Sequence, residues 1–133
     1  MMKLLLRPMI LILALALAQL SSTADAQALA ELEMTNSQAL QIWNSTKDRE
    51  QYQSYGQAFA QWNNRLQLDT KNSCYSKGDE QVTLLIVISD KGEIGPVFTS
   101  VEGEKAECFR LTYQGLKFDV PPFSPLVLKL VMM

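Results

Sequence analysis

The residues of this 133-residue chain that could do chemistry are two cysteines, Cys74 and Cys108, and a set of 14 scattered carboxylates, with no histidine. The missing histidine removes the usual general base and the commonest metal ligand. A His-dependent triad or a His-containing zinc site within the chain is therefore excluded. A catalytic redox pair usually has the C-x-x-C spacing that lowers a thiol pKa, and these two cysteines lack it. Two cysteines alone do not complete a tetrahedral zinc site. An enzymatic reading would have to rest on acids such as Asp79, Glu80, Glu102 and Glu104. They fall in predicted loops or at a helix start, where solvation or favourable placement at the helix dipole accounts for them. The expectation is a chain that is not an enzyme, with no cofactor, no metal and no evident small-molecule substrate.

The address is written at the start of the chain. Lys3 and Arg7 form a positive region, and Met9 to Ala18 is uninterruptedly apolar. Ala24-Asp25-Ala26 then offers a small-residue cleavage site, with Ala26-Gln27-Ala28 as an alternative. This is the anatomy of a secretory signal peptide. Its apolar run gives about 15 Å of helix, half the hydrocarbon thickness, so a permanent span is not expected. No cysteine near the site indicates a lipoprotein anchor. Residues 1–26 are read as a signal peptide and 27–133 as a single periplasmic domain. An uncleaved leader serving as an inner-membrane anchor is the alternative.

An even cysteine count in an oxidising compartment points to a Cys74–Cys108 disulfide. A loop of that length stabilises by roughly 4 kcal/mol in the chain-entropy picture. The formal net charge is −2, and no concentrated basic face suggests a nucleic-acid partner.

The elements that must position these residues follow from patterning. Residues 29–68 read as helix, with a capping box at Thr35 and Gln38 and a polar break over Ser45 to Glu50. Leu40, Trp43, Tyr52, Tyr55, Phe59, Trp62 and Leu66 recur at helical steps, which predicts an apolar stripe on one sheet face. Asp69 to Gln81 has loop composition. Val82 to Ile88 is apolar on both faces and reads as a central strand. Asp90-Lys91-Gly92 fits a hairpin turn with Gly92 at positive φ. Ile94 to Val101 forms a second strand, in which Pro96 calls for an edge or a bulge. Glu102-Gly103-Glu104 ends it and starts a helix that buries Phe109, Thr112, Tyr113 and Leu116. Pro121 and Pro122 close that segment, and Pro125 to Met132 is a third strand with Lys129 near its middle. A right-handed return places this strand beside the first, in the order 2-1-3. The fold class is α+β: a helical segment (27–70) packed on a small three-stranded antiparallel or mixed ββαβ sheet (71–133).

The ordered set from Cys74 to Met132 resembles the carboxy-terminal domain of the TonB and TolA proteins. What carries it is the apolar strand, the Asp90-Lys91-Gly92 turn, the second strand, the helix, and Phe118 with Pro121-Pro122. Cys108 lies in the helix that carries a bridged cysteine in TolA domains. Cys74 followed by Tyr75 is closer to cysteine-containing domains of the AgmX/PglI type. The resemblance implies a non-enzymatic module that binds envelope or periplasmic proteins by accepting an extended peptide along an exposed strand. TolA domains are also exploited by phage and toxin proteins. On this chain the docking strand would be Pro125, Leu126, Val127, Leu128, Lys129, Leu130 and Val131. The alternative is an inner-membrane-anchored accessory of a TonB/Tol-type energy-transduction system. The chain departs from the family in having only a short helical segment in place of a long spacer. It also has Leu116-Lys117-Phe118 where a Trp-Arg-Phe-like sequence is common.

Overall fold

Val82–Ile88 forms strand β1, and all of its side chains but the half-covered Thr83 are buried. A strand so apolar on both faces has to sit centrally and be covered on each side. The computed structural model describes residues 34–133. The leader, its cleavage sites and the first residues of the expected helical segment lie outside the described residues. Helices α1 (Asn36–Thr46) and α2 (Glu50–Leu66) come first, followed by a 3₁₀ turn over Cys74–Lys77. Then come β1, β2 (Ile94–Thr99), α3 (Glu104–Tyr113) and β3 (Leu126–Met132). The sheet is antiparallel throughout, in the order β2-β1-β3. The expected α+β class and strand order are both observed.

Local chemistry sets the boundaries. Thr35 Oγ1 accepts from the Gln38 N–H (3.2 Å), while Gln38 Oε1 accepts from the Thr35 N–H (2.9 Å). That reciprocal pair starts α1. The chain breaks between Lys47 and Arg49 and restarts as α2. Gly92 takes φ +81° in the hairpin, and a Cβ there would run into the Phe118 carbonyl oxygen. Ile86 pairs with Val97 and Ile88 with Ile94, so β2 carries an extra residue at Gly95-Pro96. This bulge lies in an edge strand and accommodates the proline's missing donor.

One face of the sheet carries Val82, Leu84, Ile86 and Ile88, joined by Leu126, Leu128 and Met132 of β3. Tyr55 and Phe59 of α2 and Ala106, Phe109 and Tyr113 of α3 pack on it. Phe118 joins this layer, its ring 5.4 Å from Tyr55, 5.3 Å from Phe59 and 4.8 Å from Trp62. Leu85, Val87 and Val127 point to the opposite face, which α1 covers with the buried Ala39. The aromatic stripe therefore does not cover a single face. The break after Thr46 divides the helical segment, sending α1 to one side and α2 to the other. Leu40 and Leu66, expected within the stripe, are 42% and 49% exposed. Ala39 takes the inward position because a helix seated this close to the strands has room for a methyl group but not for a leucine.

Cys74 and Cys108 are bridged, with Cα atoms 5.4 Å apart. The disulfide ties the loop-rich connection after α2 to α3, closing a loop of sequence separation 34. Replacing both cysteines with serine is expected to lower unfolding free energy by about 2–4 kcal/mol. Urea denaturation with and without reductant checks this. A reductant-sensitive midpoint in the double variant, or an unchanged one on reducing the wild type, would contradict the assignment.

Candidate functional site: the outer rim of the third strand

Hydrogen bonding in β1 determines which main-chain groups of β3 are left over. The Thr83 N–H donates to Ser100 Oγ, and its carbonyl accepts from the Ser100 N–H, both at 2.9 Å. Thr83 thus spends its polar groups on the β2 side. In an antiparallel ladder the direction alternates, so Leu84 and Ile86 turn theirs toward β3. Their partners are Leu130 and Leu128. Val127, Lys129 and Val131, which face Val87, Leu85 and Thr83 respectively across the pair, then turn N–H and C=O away from the sheet. These three residues define the rim that an added strand would use.

The rim is not uniform. Pro125 is exposed just before the strand begins, while Leu126 and Val127 are fully buried and Leu128 nearly so. A Cβ placed on Gly56 would lie 3.9 Å from Leu128 Cδ2, so α2 passes close alongside there. The side chain of Lys129 reaches over the Trp43 ring, its Nζ 4.3 Å from the centroid. Lys47 approaches the same ring at 4.6 Å. Burial raises the pKa of Tyr52, while the Trp43 side chain and the Lys129 main chain beside its hydroxyl act against the rise. Leu130 is half-buried and Val131 is 48% exposed. Of the seven residues expected to form the docking strand, the Val131 end is open and the Val127 end is overlain by helix.

The rim of β2 is treated differently. The Ile94 N–H donates to Leu116 O (2.8 Å), the Gly115 N–H to Ile94 O (2.8 Å) and the Phe118 N–H to Gly92 O (2.9 Å). The segment after α3 thus closes the start of that edge.

Beside the open end of β3 lies a cleft of about 200 Å³, walled by Phe59, Asn63 and Asn64 of α2, by Asp69 and Tyr75, and by Leu130 to Met132. Its polar groups are wired together. Tyr113 Oη donates to Asn63 Oδ1 (2.6 Å), which fixes the amide so that Asn63 Nδ2 donates to Asp69 Oδ1 (3.3 Å). Tyr75 Oη lies 3.3 Å from Asp69 Oδ2 and 3.5 Å from Met132 Sδ. The Tyr75 ring stands edge-on to Phe109 at 5.0 Å, next to the disulfide. Lys105, almost wholly buried, donates from Nζ to Glu80 O and, at 3.4 Å, to Met133 O. It ties the end of β3 and the approach to β1 onto α3.

Sequence reasoning placed Cys74 and Cys108 together and picked the strand, but it gave Asp69, Tyr75 and Lys105 no role in a site. Asp69 and Tyr75 sit in a segment whose composition reads only as loop. A lysine in the first turn of a helix normally lies in solvent. The acids Asp79, Glu80, Glu102 and Glu104 are all exposed, and Glu104 pairs with Lys77 at 3.6 Å. Among the described residues, no group of three His, Cys, Asp or Glu is arranged to hold a metal ion, and no helix is long and apolar enough to cross a membrane. No family profile, curated protein or solved structure matches the chain.

Burial raises the phenol pKa of Tyr55 and of Tyr113, with Asp119 adding to the first and Asp69 to the second. Both stay neutral in the folded chain beyond the point where an unfolded tyrosine, at about pH 10, gives up its proton. Their contribution is complete below that pH. It is lost as pH rises further, because the unfolded chain then binds fewer protons. Denaturant midpoints should therefore hold steady up to about pH 9 and fall above about pH 10. Phenolate absorbance of all four tyrosines appearing near pH 10 with the fold intact would contradict this.

Proposed function

We propose that this chain is a non-enzymatic, exported protein-binding module resembling the TonB/TolA carboxy-terminal domain. It docks envelope or periplasmic proteins by adding an extended segment of the partner to β3. The observation that carries this reading is the open rim at Val131, where the ladder geometry turns main-chain groups out toward solvent. Such groups supply affinity to any extended chain, and the side chains on either hand supply selectivity. The guest enters at the Val131 end. Pairing further along, at Lys129 and Val127, requires the Tyr52 side chain and the end of α1 to yield. Placing the partner outside the cytoplasm rests on the leader sequence and on the disulfide, which persists in an oxidising compartment.

Proline at Val131 removes one outward N–H and leaves the β1–β3 ladder intact, since that N–H takes no part in it. Val131→Pro should lower capture of a partner identified from an envelope extract by at least about tenfold, corresponding to a main-chain bond and its register. Circular dichroism and the urea midpoint should stay close to wild type. Val127→Pro is a harsher change, because Val127 is packed beneath α1, and it should disturb stability as well. Undiminished capture by a folded Val131→Pro variant would remove the strand from the account.

A further inference from the structure

We infer that the cleft beside the open end of β3 is a side-chain pocket for a lysine or arginine of the incoming strand, with Asp69 as its acceptor. The inference rests on the strand-addition reading and goes further, naming the chemistry of the partner at one position.

A guest strand paired at Val131 alternates its side chains between the two faces of the sheet. On the face occupied by α2, the space that lies beside Val131 is the cleft between α2 and the Leu130–Met132 end of β3. That space is not an apolar slot. Asp69 stands in its wall with its two oxygens held by Asn63 Nδ2 and by Tyr75 Oη, both at 3.3 Å. Asn63 is in turn oriented by Tyr113. An ionised carboxylate has about four acceptor positions, so two long hydrogen bonds leave capacity for an incoming donor. Neither of the ion pairs among the described residues, Lys77–Glu104 and Arg110–Glu107, involves Asp69. The one buried ammonium nearby among the described residues, Lys105, is directed at the Glu80 and Met133 carbonyls and lies 5.8 Å from the Tyr75 ring centroid. The result is a carboxylate fixed in position by a tyrosine–asparagine relay, partly withdrawn from water and without an ion-pair partner among the described residues. Leu130 and the Phe59 ring supply apolar wall for the methylene stem of a lysine or arginine, which packs while its head stays polar. A glutamate or aspartate at that guest position would meet Asp69 as a like charge, so the pocket also disfavours acids.

The test uses the full chain, purified in the form the cell makes, and a displayed library of random octapeptides. Binders are selected on the wild type, then remeasured as synthetic peptides against Val131→Pro and Asp69→Asn. The expected binders share one lysine or arginine among alternating β-formers and lose affinity for Val131→Pro. They also lose about tenfold for Asp69→Asn, as for a charge-assisted hydrogen bond. Exchanging that basic residue for norleucine should cost the same factor on the wild type and nothing further on Asp69→Asn. The asparagine oxygen can still accept from Asn63 Nδ2 while its amide nitrogen donates to the Tyr75 hydroxyl oxygen, so a folded variant is expected, and its urea midpoint verifies that. Binders that depend on Val131 but show no basic preference, or are indifferent to Asp69→Asn, would overturn the pocket and leave strand addition standing. A selection that yields nothing, or only peptides insensitive to Val131→Pro, would overturn strand addition and the pocket together.

Discussion

Leu84, Ile86 and Ile88 project from one face of β1 and Leu85 and Val87 from the other, and nearly all are out of water. A strand of this kind cannot be an edge, and neither of its faces can be left bare. Each remaining element answers one of these demands. β2 and β3 occupy its two rims, α2 and α3 cover one face, and α1 covers the other. Burying a single Val, Leu or Ile side chain is worth roughly 1.5–3 kcal/mol. The cluster around β1 therefore outweighs any individual cap, turn or ion pair in the molecule. The exposed pair Arg110–Glu107, by contrast, adds little.

The second organising feature is the connection from α2 to β1. Its residues have no apolar pattern of their own, so the segment is fixed by attachments. The Cys74–Cys108 bridge holds it to α3, Lys105 holds its far end through Glu80, and Asn72 Nδ2 donates to Thr112 Oγ1 at 2.9 Å. These attachments position Asp69 and Tyr75 against the end of β3. The bridge is thus more than a staple for a small domain: it holds one wall of the cleft. A wall built from loop residues keeps its shape only while the loop closure costs little, and covalent closure reduces that cost.

Much of this was legible in the residues. The two-faced apolarity of Val82 to Ile88 required a central strand, the Thr35/Gln38 box marked a helix start, and Gly92 and Pro96 marked a turn and a bulge. Each is a local signal whose physical cause lies within a few residues. What was not legible depended on distance. Periodicity says that Leu40, Trp43 and Phe59 lie on helical stripes, but not that the break at Lys47 sends the two helices to opposite sheet faces. Nor does it say that Ala39 rather than Leu40 turns inward. Asp69 finds its partners through Asn63, Tyr75 and Tyr113, the last of them far along the chain, and no spacing rule links them. Lys105 is buried because carbonyls from two other segments meet over it, a coincidence of tertiary structure.

The unequal treatment of the two sheet rims bears on function more directly than any single residue. The β2 rim is closed at its start by Gly115 to Phe118 through three short main-chain hydrogen bonds, and the aromatic cluster around Phe118 anchors that closure. The β3 rim has a helix laid beside its first half and Lys129 in its middle, bent back over Trp43. A chain under pressure only to avoid edge-to-edge association would be expected to blunt the whole rim, and a charge placed beside Val131 would do so at little cost. Instead the last turn of the pleat presents a bare valine next to a polar cleft. Under the strand-addition proposal, an edge guarded along most of its length and open at one end would admit a strand in a single register. Selectivity in strand addition depends on that register, since a slip of one residue would put every guest side chain on the wrong face.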